Sequence, residues 1–300
     1  MSQPAFARSV RYDRFGGPEV LEIVDREVPA PGPGKVRVRV AAAGINPADS
    51  KTRRGAWAPT LPTGIGRELA GTVEAAGDDA EFAPGDEVFG FAATGAVAEL
   101  VVTSSSNLAR KPAGLDWTTA GGLSLAGLTA WSSTSSLELG ASDTVLVSAA
   151  TGGVGVIASQ LALRAGARVI GTASPSNHDF LSALGVEPVA YGDGLVDRLR
   201  ALGPITAVLD NNGAETIEAG LELGVPAHRI NTIAADAGKW EVRAVGRGPV
   251  DRSALEELAR LVVARELVVP IDSTYALDEA VAAFERLDSG HARGKVVILV

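Results

Sequence analysis

Residues 145–163, VLVSAATGGVGVIASQLAL, restrict the possible folds of this chain more than any other segment. The segment is almost entirely apolar, and Thr-Gly-Gly-Val at positions 151–154 interrupts it. A membrane-spanning helix needs about 20 apolar residues, whereas this segment contains paired glycines, serines and a glutamine. A strand, a tight turn and a helix explain the pattern better. We therefore predict no membrane segment here.

The turn itself has the spacing of a phosphate-binding loop. Residues 150–155, Ala-Thr-Gly-Gly-Val-Gly, match the G-x-G-x-x-G dinucleotide fingerprint with alanine at the first glycine. Gly152 would let the backbone approach a pyrophosphate, and Gly155 would let the helix pack on the strand. The amides of the helix N-terminus would then face the anion. The alternative is a tight turn without a ligand. The strand–turn–helix context favours phosphate binding by Thr151, Gly152, Gly153, Val154 and Gly155.

Strands and helices alternate from about residue 115, which predicts a parallel sheet built from βαβ units. The N-terminal third is β-rich instead, with period-two alternation over residues 36–40, and predicts a small barrel or compact β domain. The tail predicts a helix at 251–264, a strand at 267–271, a helix at 277–287 and a strand at 296–300. From pattern alone the tail could belong to either part. The predicted parallel strands are 145–148, 168–172, 188–190, 207–210 and 229–233, with a sixth near 241–245.

Charge and cysteine content exclude several classes of function. The chain has 27 basic and 36 acidic residues, a formal net charge of −9, which opposes binding to nucleic acid or to an anionic membrane surface. It has no cysteine, which excludes disulfides, thiolate metal sites and cysteine nucleophiles. The first residues lack the apolar core of a signal peptide, so we expect a cytoplasmic protein without nucleic-acid or membrane partners.

The second parallel strand predicts the choice of nucleotide. Proteins that bind a ribose with a free 2′-hydroxyl usually carry an acid about 20 residues after the glycine turn. Residues 171–176 contain no acid, and Ser174, Ser176 and Asn177 supply neutral donors. This favours the 2′-phosphate of NADP(H). The alternative is that the serines cap the following helix, and the two roles are compatible.

Six segments together resemble the zinc-independent quinone oxidoreductase branch of the medium-chain dehydrogenase/reductase superfamily. They occur in the family's order and extend over almost the whole chain. The resemblance implies an α/β protein with a GroES-like β-rich catalytic domain at 1–118 and 268–300. It also implies an NADP-binding Rossmann domain with a doubly wound, six-stranded parallel sheet at 119–267, and a homodimer. The segments are residues 41–55, 64–73, 82–90, 126–131, 145–155 and 292–300.

The same resemblance predicts that no metal is bound. Alcohol dehydrogenases of the superfamily hold a catalytic zinc with a cysteine and a Gly-His-Glu motif, and the corresponding residues here are Asn46 and Gly-Arg-Glu at 66–68. A guanidinium stays protonated and cannot be a zinc ligand. The three histidines, at positions 178, 228 and 291, lack metal-ligand spacing.

Without a Lewis acid, a conjugated acceptor is the most suitable substrate, because its own π system spreads the incoming negative charge. We therefore predict an NADPH-dependent, metal-free reductase of quinones or other α,β-unsaturated carbonyls, with a small-molecule quinone or enone as its partner. Two alternatives remain open. One is a 2-enoyl thioester or enone reductase, and the other is a non-catalytic NADPH-binding redox sensor.

The resemblance also assigns individual residues. Asn46 would lie beside the nicotinamide and donate to the acceptor oxygen, and Asp49 would hold the loop or relay a proton. Arg53 and Trp57 would line the substrate pocket. The alternatives are that Asn46 supports a turn, that Asp49 caps a helix, and that Arg53 belongs to an exposed basic patch. The cofactor-binding residues, besides the glycine turn, would be Asn46, Thr129, Ser174, Asn177, Tyr191, Asn211, Ile233, Ala234 and Lys295.

Overall fold

The computed structural model describes residues 4–300, which form two compact units. The first unit contains the chain up to Leu125 together with Val250–Val300, and the second contains Ala126–Pro249. The domain boundaries predicted from the sequence lie after residues 118 and 267. The return to the first unit comes earlier, because a helix at Arg252–Val263 packs there against a strand at Leu108–Arg110.

The first part of the chain is β-rich, as predicted. It contains one α-helix, α1 (Pro47–Arg53), and a longer helix, α2 (Trp117–Ser135), begins at its end. The boundary between the units falls within α2. The strands are β1 (Ala5–Tyr12), β2 (Glu22–Val28), β3 (Lys35–Ile45), β4 (Thr63–Gly64), β5 (Glu68–Ala76), β6 (Glu87–Phe91), β7 (Leu100–Ser104) and β8 (Leu108–Arg110).

Strand β3 is the centre of the largest sheet of the first unit, because it pairs with β5 and with β7. Apolar and basic residues alternate along residues 36–40, as predicted, and the three valines at 36, 38 and 40 are all buried. The basic positions between them differ from one another. Arg39 is exposed, whereas Arg37 is buried and forms an ion pair with Glu74.

The second unit is a doubly wound parallel sheet. All its strand pairs are parallel, and their order is β11-β10-β9-β12-β13-β14, which confirms the six-stranded prediction. The strand order reverses beside β9, and ligands of such sheets bind at the carboxyl ends of the strands near this reversal. The elements are β9 (Thr144–Val147), α3 (Gly153–Arg164), β10 (Arg168–Thr172), α4 (His178–Ala183), β11 (Glu187–Val189), α5 (Leu195–Ala201), β12 (Ala207–Asp210), α6 (Ala214–Glu222), β13 (Ile230–Thr232) and β14 (Arg243–Ala244).

The tail returns to the first unit through α7 (Arg252–Val263), β15 (Ile271–Ala276), α8 (Ala280–Asp288) and β16 (Lys295–Leu299). Strand β16 pairs in parallel with β15 and antiparallel with the end of β3. The strand predicted at 267–271 is wrong, since the strand begins only at Ile271. No helix within residues 4–300 is both long enough and apolar enough to cross a membrane.

Candidate active site

The glycine turn of the second unit joins β9 to α3. Gly152 is the N-cap of α3, and its N–H donates to the carbonyl of Ala149 over 2.9 Å. Ala149 has a φ of 45°, a left-handed conformation that is uncommon for a residue with a side chain. Its N–H donates to Thr172 Oγ1 (3.1 Å), and the next N–H, of Ala150, donates to the Thr172 carbonyl (3.0 Å). The turn is thus held against the end of β10.

The two glycines of the turn meet different demands. A Cβ at Gly155 would lie 2.2 Å from the Ala149 carbonyl oxygen, so only glycine lets α3 approach the turn this closely. A Cβ at Gly152 would lie 3.3 Å from that oxygen, a tight contact that a shift of a few tenths of an ångström would relieve, so packing restricts this position much less than Gly155. The first amides of the 12-residue helix α3 have no intrahelical acceptor and lie at the positive end of its dipole. Such a turn can bind an anion.

A buried carboxylate ties the neighbouring strand ends together. Asp210, the last residue of β12, is fully buried. Its Oδ1 accepts from Ser148 Oγ (2.9 Å) and from the backbone amides of residues 212 (3.2 Å) and 213 (2.9 Å). Its Oδ2 accepts from Thr232 Oγ1 at 2.6 Å. These donors are all neutral, and they come from three neighbouring strand ends, so Asp210 fixes the edge at which a ligand of this fold binds.

Asn211 lies beside this network and has an unused acceptor. Its N–H donates to Ser148 Oγ (2.7 Å), and its Nδ2 donates to the Ser148 carbonyl (3.0 Å). Its Oδ1 is buried, and no described residue donates to it. Ile233 and Ala234 belong to the same edge, because their N–H groups donate to the Asp210 carbonyl (3.0 Å) and to Thr232 Oγ1 (3.1 Å). A buried acceptor without a donor is costly, and a bound ligand could supply the donor.

The polar residues after β10 and β11 lie at the same edge of the sheet. Ser174 Oγ lies 3.1 Å from Ser176 Oγ and accepts from Asn177 Nδ2 at 3.1 Å. Neither Ser174 nor Asn177 makes a side-chain cap hydrogen bond. The alternative interpretation, in which the serines cap the following helix, is therefore wrong. Tyr191 follows β11 and is exposed. Thr129 is buried in α2, within the second unit.

In the first unit, Asn46 and Asp49 form the capping box of α1. Asn46 is the N-cap, its N–H donates to Asp49 Oδ2 over 2.9 Å, and Pro47 begins the helix. Both side chains are buried. Burial, and then the nearby charge of Glu68, raise the pKa of Asp49 to about 6. Asp49 therefore caps α1, as its alternative interpretation predicted. Asn46 makes no side-chain cap hydrogen bond, which leaves its amide group available for other contacts.

That amide belongs to a buried ionic cluster, which we call the Lys295 cluster: Asn46, Glu68 and Lys295. Glu68 Oε1 accepts from Asn46 Nδ2 (2.7 Å) and from Lys295 Nζ (2.8 Å). The ammonium also donates to Asn46 Oδ1 and to the Ile45 carbonyl (3.3 Å). Glu68 Oε2 accepts from the Leu125 amide at 2.7 Å. Glu68 is fully buried and Lys295 only 3% exposed, so the pair is shielded from solvent.

Sequence reasoning identified this cluster only in part. It assigned Asn46 to the reaction and Lys295 to the cofactor, and it mentioned Glu68 only as part of the Gly-Arg-Glu motif. In the structure the Lys295 ammonium is directed at Asn46 and Glu68. The one available signal was the motif at 66–68, where an acid follows an arginine at the start of a buried strand.

Arg53 lies elsewhere than predicted. Its side chain is fully buried, donates to Asp288 Oδ2 (2.6 Å) and to the Gly16 carbonyl (3.2 Å), and lies 5.1 Å from the Phe284 ring centre. The reason is that α1 packs on α8, which presents both the carboxylate and the ring to the last turn of α1. Because Arg53 is fully buried, it fits neither the predicted place in the lining of a substrate pocket nor the alternative place in an exposed basic patch. Trp57, by contrast, is 69% exposed.

Comparison with protein families matches both parts of the chain. Residues 32–123 match the alcohol dehydrogenase GroES-like domain, and residues 140–298 match the zinc-binding dehydrogenase family. The second name raises the question of whether the residues of the first unit fit a zinc ion.

The Lys295 cluster does not fit one. Its ammonium already lies between Asn46 Oδ1 and Glu68 Oε1, and a second cation on these oxygens would be repelled. Arg67 precedes Glu68, and its guanidinium has no lone pair for a metal. Within residues 4–300, no group of three or more His, Cys, Asp or Glu side chains is arranged to hold a metal ion.

Known proteins resemble the chain over its full length. A quinone oxidoreductase from Pseudomonas aeruginosa is 31% identical, and the match covers 98% of this chain and 99% of that protein. The solved quinone oxidoreductase from Coxiella burnetii is 32% identical with a TM-score of 0.87, over 99% of this chain and 100% of that one.

Two further solved structures match about as well. An NAD-dependent alcohol dehydrogenase is 32% identical with a TM-score of 0.88, covering 98% of this chain and 99% of that one. The Escherichia coli quinone oxidoreductase complexed with NADPH is 26% identical with a TM-score of 0.87, covering 98% and 100%. Together with the glycine turn and the GroES-like unit, these matches show that the chain belongs to the quinone oxidoreductase branch of the medium-chain dehydrogenase/reductase superfamily.

Proposed function

We propose that this protein is an NADPH-dependent, metal-free reductase of quinones or other α,β-unsaturated carbonyls. The observation that carries the proposal is the Asn46 amide. Its Nδ2 has two hydrogens, and the described residues supply one acceptor, Glu68 Oε1. The second hydrogen is available for the oxygen of a substrate. A directed neutral donor suits an acceptor whose own π system carries most of the developing charge.

The glycine turn supports the cofactor assignment. The positions of Gly152 and Gly155 leave the first amides of α3 open to a pyrophosphate, and Asn211 Oδ1 is available to a ligand donor. Ser174, Ser176 and Asn177 offer neutral donors to a 2′-phosphate and no acid that would repel it. When bound, NADPH supplies the hydride. The residues of the chain bind and orient, and Asn46 stabilises the oxygen as it becomes negative.

Titration with the two nicotinamide cofactors tests the nucleotide preference. The NAD-dependent alcohol dehydrogenase resembles this chain as closely as the quinone oxidoreductases do, so the nucleotide preference needs a direct measurement. We expect tighter binding of NADPH than of NADH by fluorescence titration, and a loss of that difference in Ser174→Ala/Asn177→Ala. Tighter binding of NADH by the unmodified protein would contradict the 2′-phosphate assignment.

A panel of acceptors tests the reaction. NADPH oxidation is measured with 1,4-benzoquinone, with 9,10-phenanthrenequinone and with an enoyl thioester, each for the unmodified protein and for Asn46→Ala. We expect turnover of a quinone that falls in the variant. Preference for the thioester would instead favour an enoyl reductase. Cofactor binding without turnover of any acceptor would contradict the enzyme assignment and favour a redox sensor.

The resemblance also supports a cytoplasmic homodimer. Light scattering of the purified protein tests the oligomeric state, with twice the 30.6 kDa chain mass as the expected result. A monomer at working concentrations would contradict this part of the proposal.

A further inference from the structure

We propose that Lys295 and Glu68 are positioning residues of this enzyme: the buried ion pair fixes the orientation of the Asn46 amide and so directs its free hydrogen. The inference rests on the proposed function, in which Asn46 donates to the substrate oxygen. It assigns Lys295 a different role from cofactor binding.

The chemistry of the two partners selects one orientation of the amide. The oxygen and nitrogen ends of an asparagine side chain have nearly the same shape, so packing hardly distinguishes them. An ammonium only donates hydrogen bonds and an ionised carboxylate only accepts them. Lys295 Nζ therefore takes Oδ1, and Glu68 Oε1 takes Nδ2. The reversed amide would place like-charged ends together at both contacts.

The partners are themselves fixed. Glu68 cannot rotate freely, because its second oxygen accepts from the Leu125 amide at 2.7 Å. Lys295 is fixed at two further points, since its ammonium donates to the Ile45 carbonyl and forms the 2.8 Å ion pair with Glu68. Asn46 is held through its backbone as well, by the capping box with Asp49. The amide therefore has no rotational freedom left to lose when a substrate arrives.

Burial separates this role from direct contact with a ligand. With 3% of Lys295 exposed and three oxygen atoms around its ammonium, all three donor hydrogens have partners. A buried ion pair is seldom more stabilising than a well-packed apolar pair of the same size. The pair is thus poorly explained by stability alone, and it is well explained by the orientation it imposes on Asn46.

A double-mutant cycle tests the inference on the full-length protein. The variants are Lys295→Met, Asn46→Ala and their combination, with Lys35→Met, an exposed lysine of β3, as a matched control. We expect Lys295→Met to lower kcat about 10- to 100-fold, because the Asn46 donor loses its orientation but is still present, whereas outright removal of one oriented donor costs about 100- to 1000-fold. We expect KM for the quinone and Kd for NADPH to change less than about 2-fold. The combined variant should be no slower than Asn46→Ala.

Three results would overturn the inference. Independent, multiplying losses in the cycle would mean that Lys295 does not act through Asn46. An NADPH Kd raised more than about 10-fold in Lys295→Met would mean that the lysine contacts the cofactor. An Asn46→Ala variant with unchanged kcat would also overturn it, since there would be no Asn46 donor to position.

Lys295→Met leaves Glu68 buried without its cation and could fail to fold, so Lys295→Met/Glu68→Gln, which removes both charges, is measured alongside it. A spectroscopic measurement keeps the inference separate from the proposed function. In protein labelled with ¹⁵N-asparagine, the Asn46 side-chain amide, assigned from Asn46→Ala, should shift and exchange faster with solvent in Lys295→Met/Glu68→Gln. An unchanged signal would contradict the positioning role even if no acceptor is ever turned over, and absent turnover with a changed signal would contradict only the proposed reaction.

Discussion

Glu68 in the first unit and Asp210 in the second are both fully buried carboxylates, and the two are held in opposite ways. Glu68 in the first unit is paired with the Lys295 ammonium and oriented by the amides of Asn46 and Leu125. Asp210 in the second unit accepts four hydrogen bonds, all from neutral hydroxyl and backbone donors. The first arrangement fixes one side chain, and the second ties together the ends of three strands.

The difference indicates what each unit needs. In a hydrogen-bonded ion pair the ammonium only donates and the carboxylate only accepts, so the pair fixes the orientation of an amide that contacts both. This suits a site that must present one hydrogen to a substrate. A shell of neutral donors around a carboxylate suits a rigid edge, because it joins several backbone segments and leaves the first amides of α3 open to a negatively charged ligand. Removing a partner should therefore have different consequences in the two units.

The largest effect is expected when Glu68 loses its cation. Lys295→Met should lower the free energy of unfolding by about 3–5 kcal/mol, because a buried carboxylate is left uncompensated. Lys295→Met/Glu68→Gln should regain much of that loss. Urea unfolding of both variants measures the difference. Equal stabilities of the two variants would show that Glu68 does not depend on the ammonium.

The second effect concerns Asp49, whose pKa of about 6 lies above the ordinary 3.8. A carboxyl whose pKa is raised in the folded state does not lower the free energy of unfolding below about pH 4, where it is protonated in both states. The loss of unfolding free energy grows between about pH 4 and pH 6 and is complete above that range. Asp49→Asn should therefore stabilise the protein by about 3 kcal/mol at pH 7 and hardly at pH 4, from about 2 pKa units at 1.36 kcal/mol each. The difference in unfolding free energy between Asp49→Asn and the unmodified protein, measured across this pH range, reports the titration of Asp49 alone. A difference independent of pH would argue against its buried, raised state.

A smaller effect is expected in the neutral network of the second unit. Thr232→Val keeps the side-chain shape but removes one donor to Asp210 and an acceptor for the Ala234 amide. We expect a loss of about 1–3 kcal/mol in unfolding free energy and weaker NADPH binding, with quinone KM unchanged. If the loss equalled that of Lys295→Met, the distinction between the two carboxylates would be wrong.

The smallest change in stability should come from Gly152 in the glycine turn, where an added Cβ would lie 3.3 Å from the nearest atom. Gly152→Ala should fold normally but bind NADPH about 10-fold more weakly, since its methyl group would face the pyrophosphate. Gly155→Ala should lose about 1–3 kcal/mol in unfolding free energy, because its methyl group would meet a backbone carbonyl at 2.2 Å. Unfolding curves and NADPH titrations separate the two. Normal NADPH affinity in Gly152→Ala would contradict the role of the turn.

The sequence predicted what is local. The glycine turn and the six parallel strands both follow from patterns within a few residues. The return of the tail to the first unit came from family resemblance, because its pattern alone fitted either unit.

What the sequence did not predict depends on contacts between distant segments. Glu68 and Lys295 are 227 residues apart, and no periodicity connects them. Arg53 was predicted to line the substrate pocket or to belong to an exposed basic patch, because a local pattern does not show that Asp288 and Phe284 of α8 enclose it. Asp210 likewise became a central residue only when three strand ends met around it.

The central claim is that an oriented Asn46 amide, rather than a metal, assists reduction of a conjugated acceptor. Single-turnover rates of NADPH oxidation by a quinone, for the unmodified protein and for Asn46→Ala with cofactor and quinone both saturating, test it most directly. We predict a fall of about 100-fold in the variant with unchanged NADPH affinity. Equal rates in the two proteins would contradict the account.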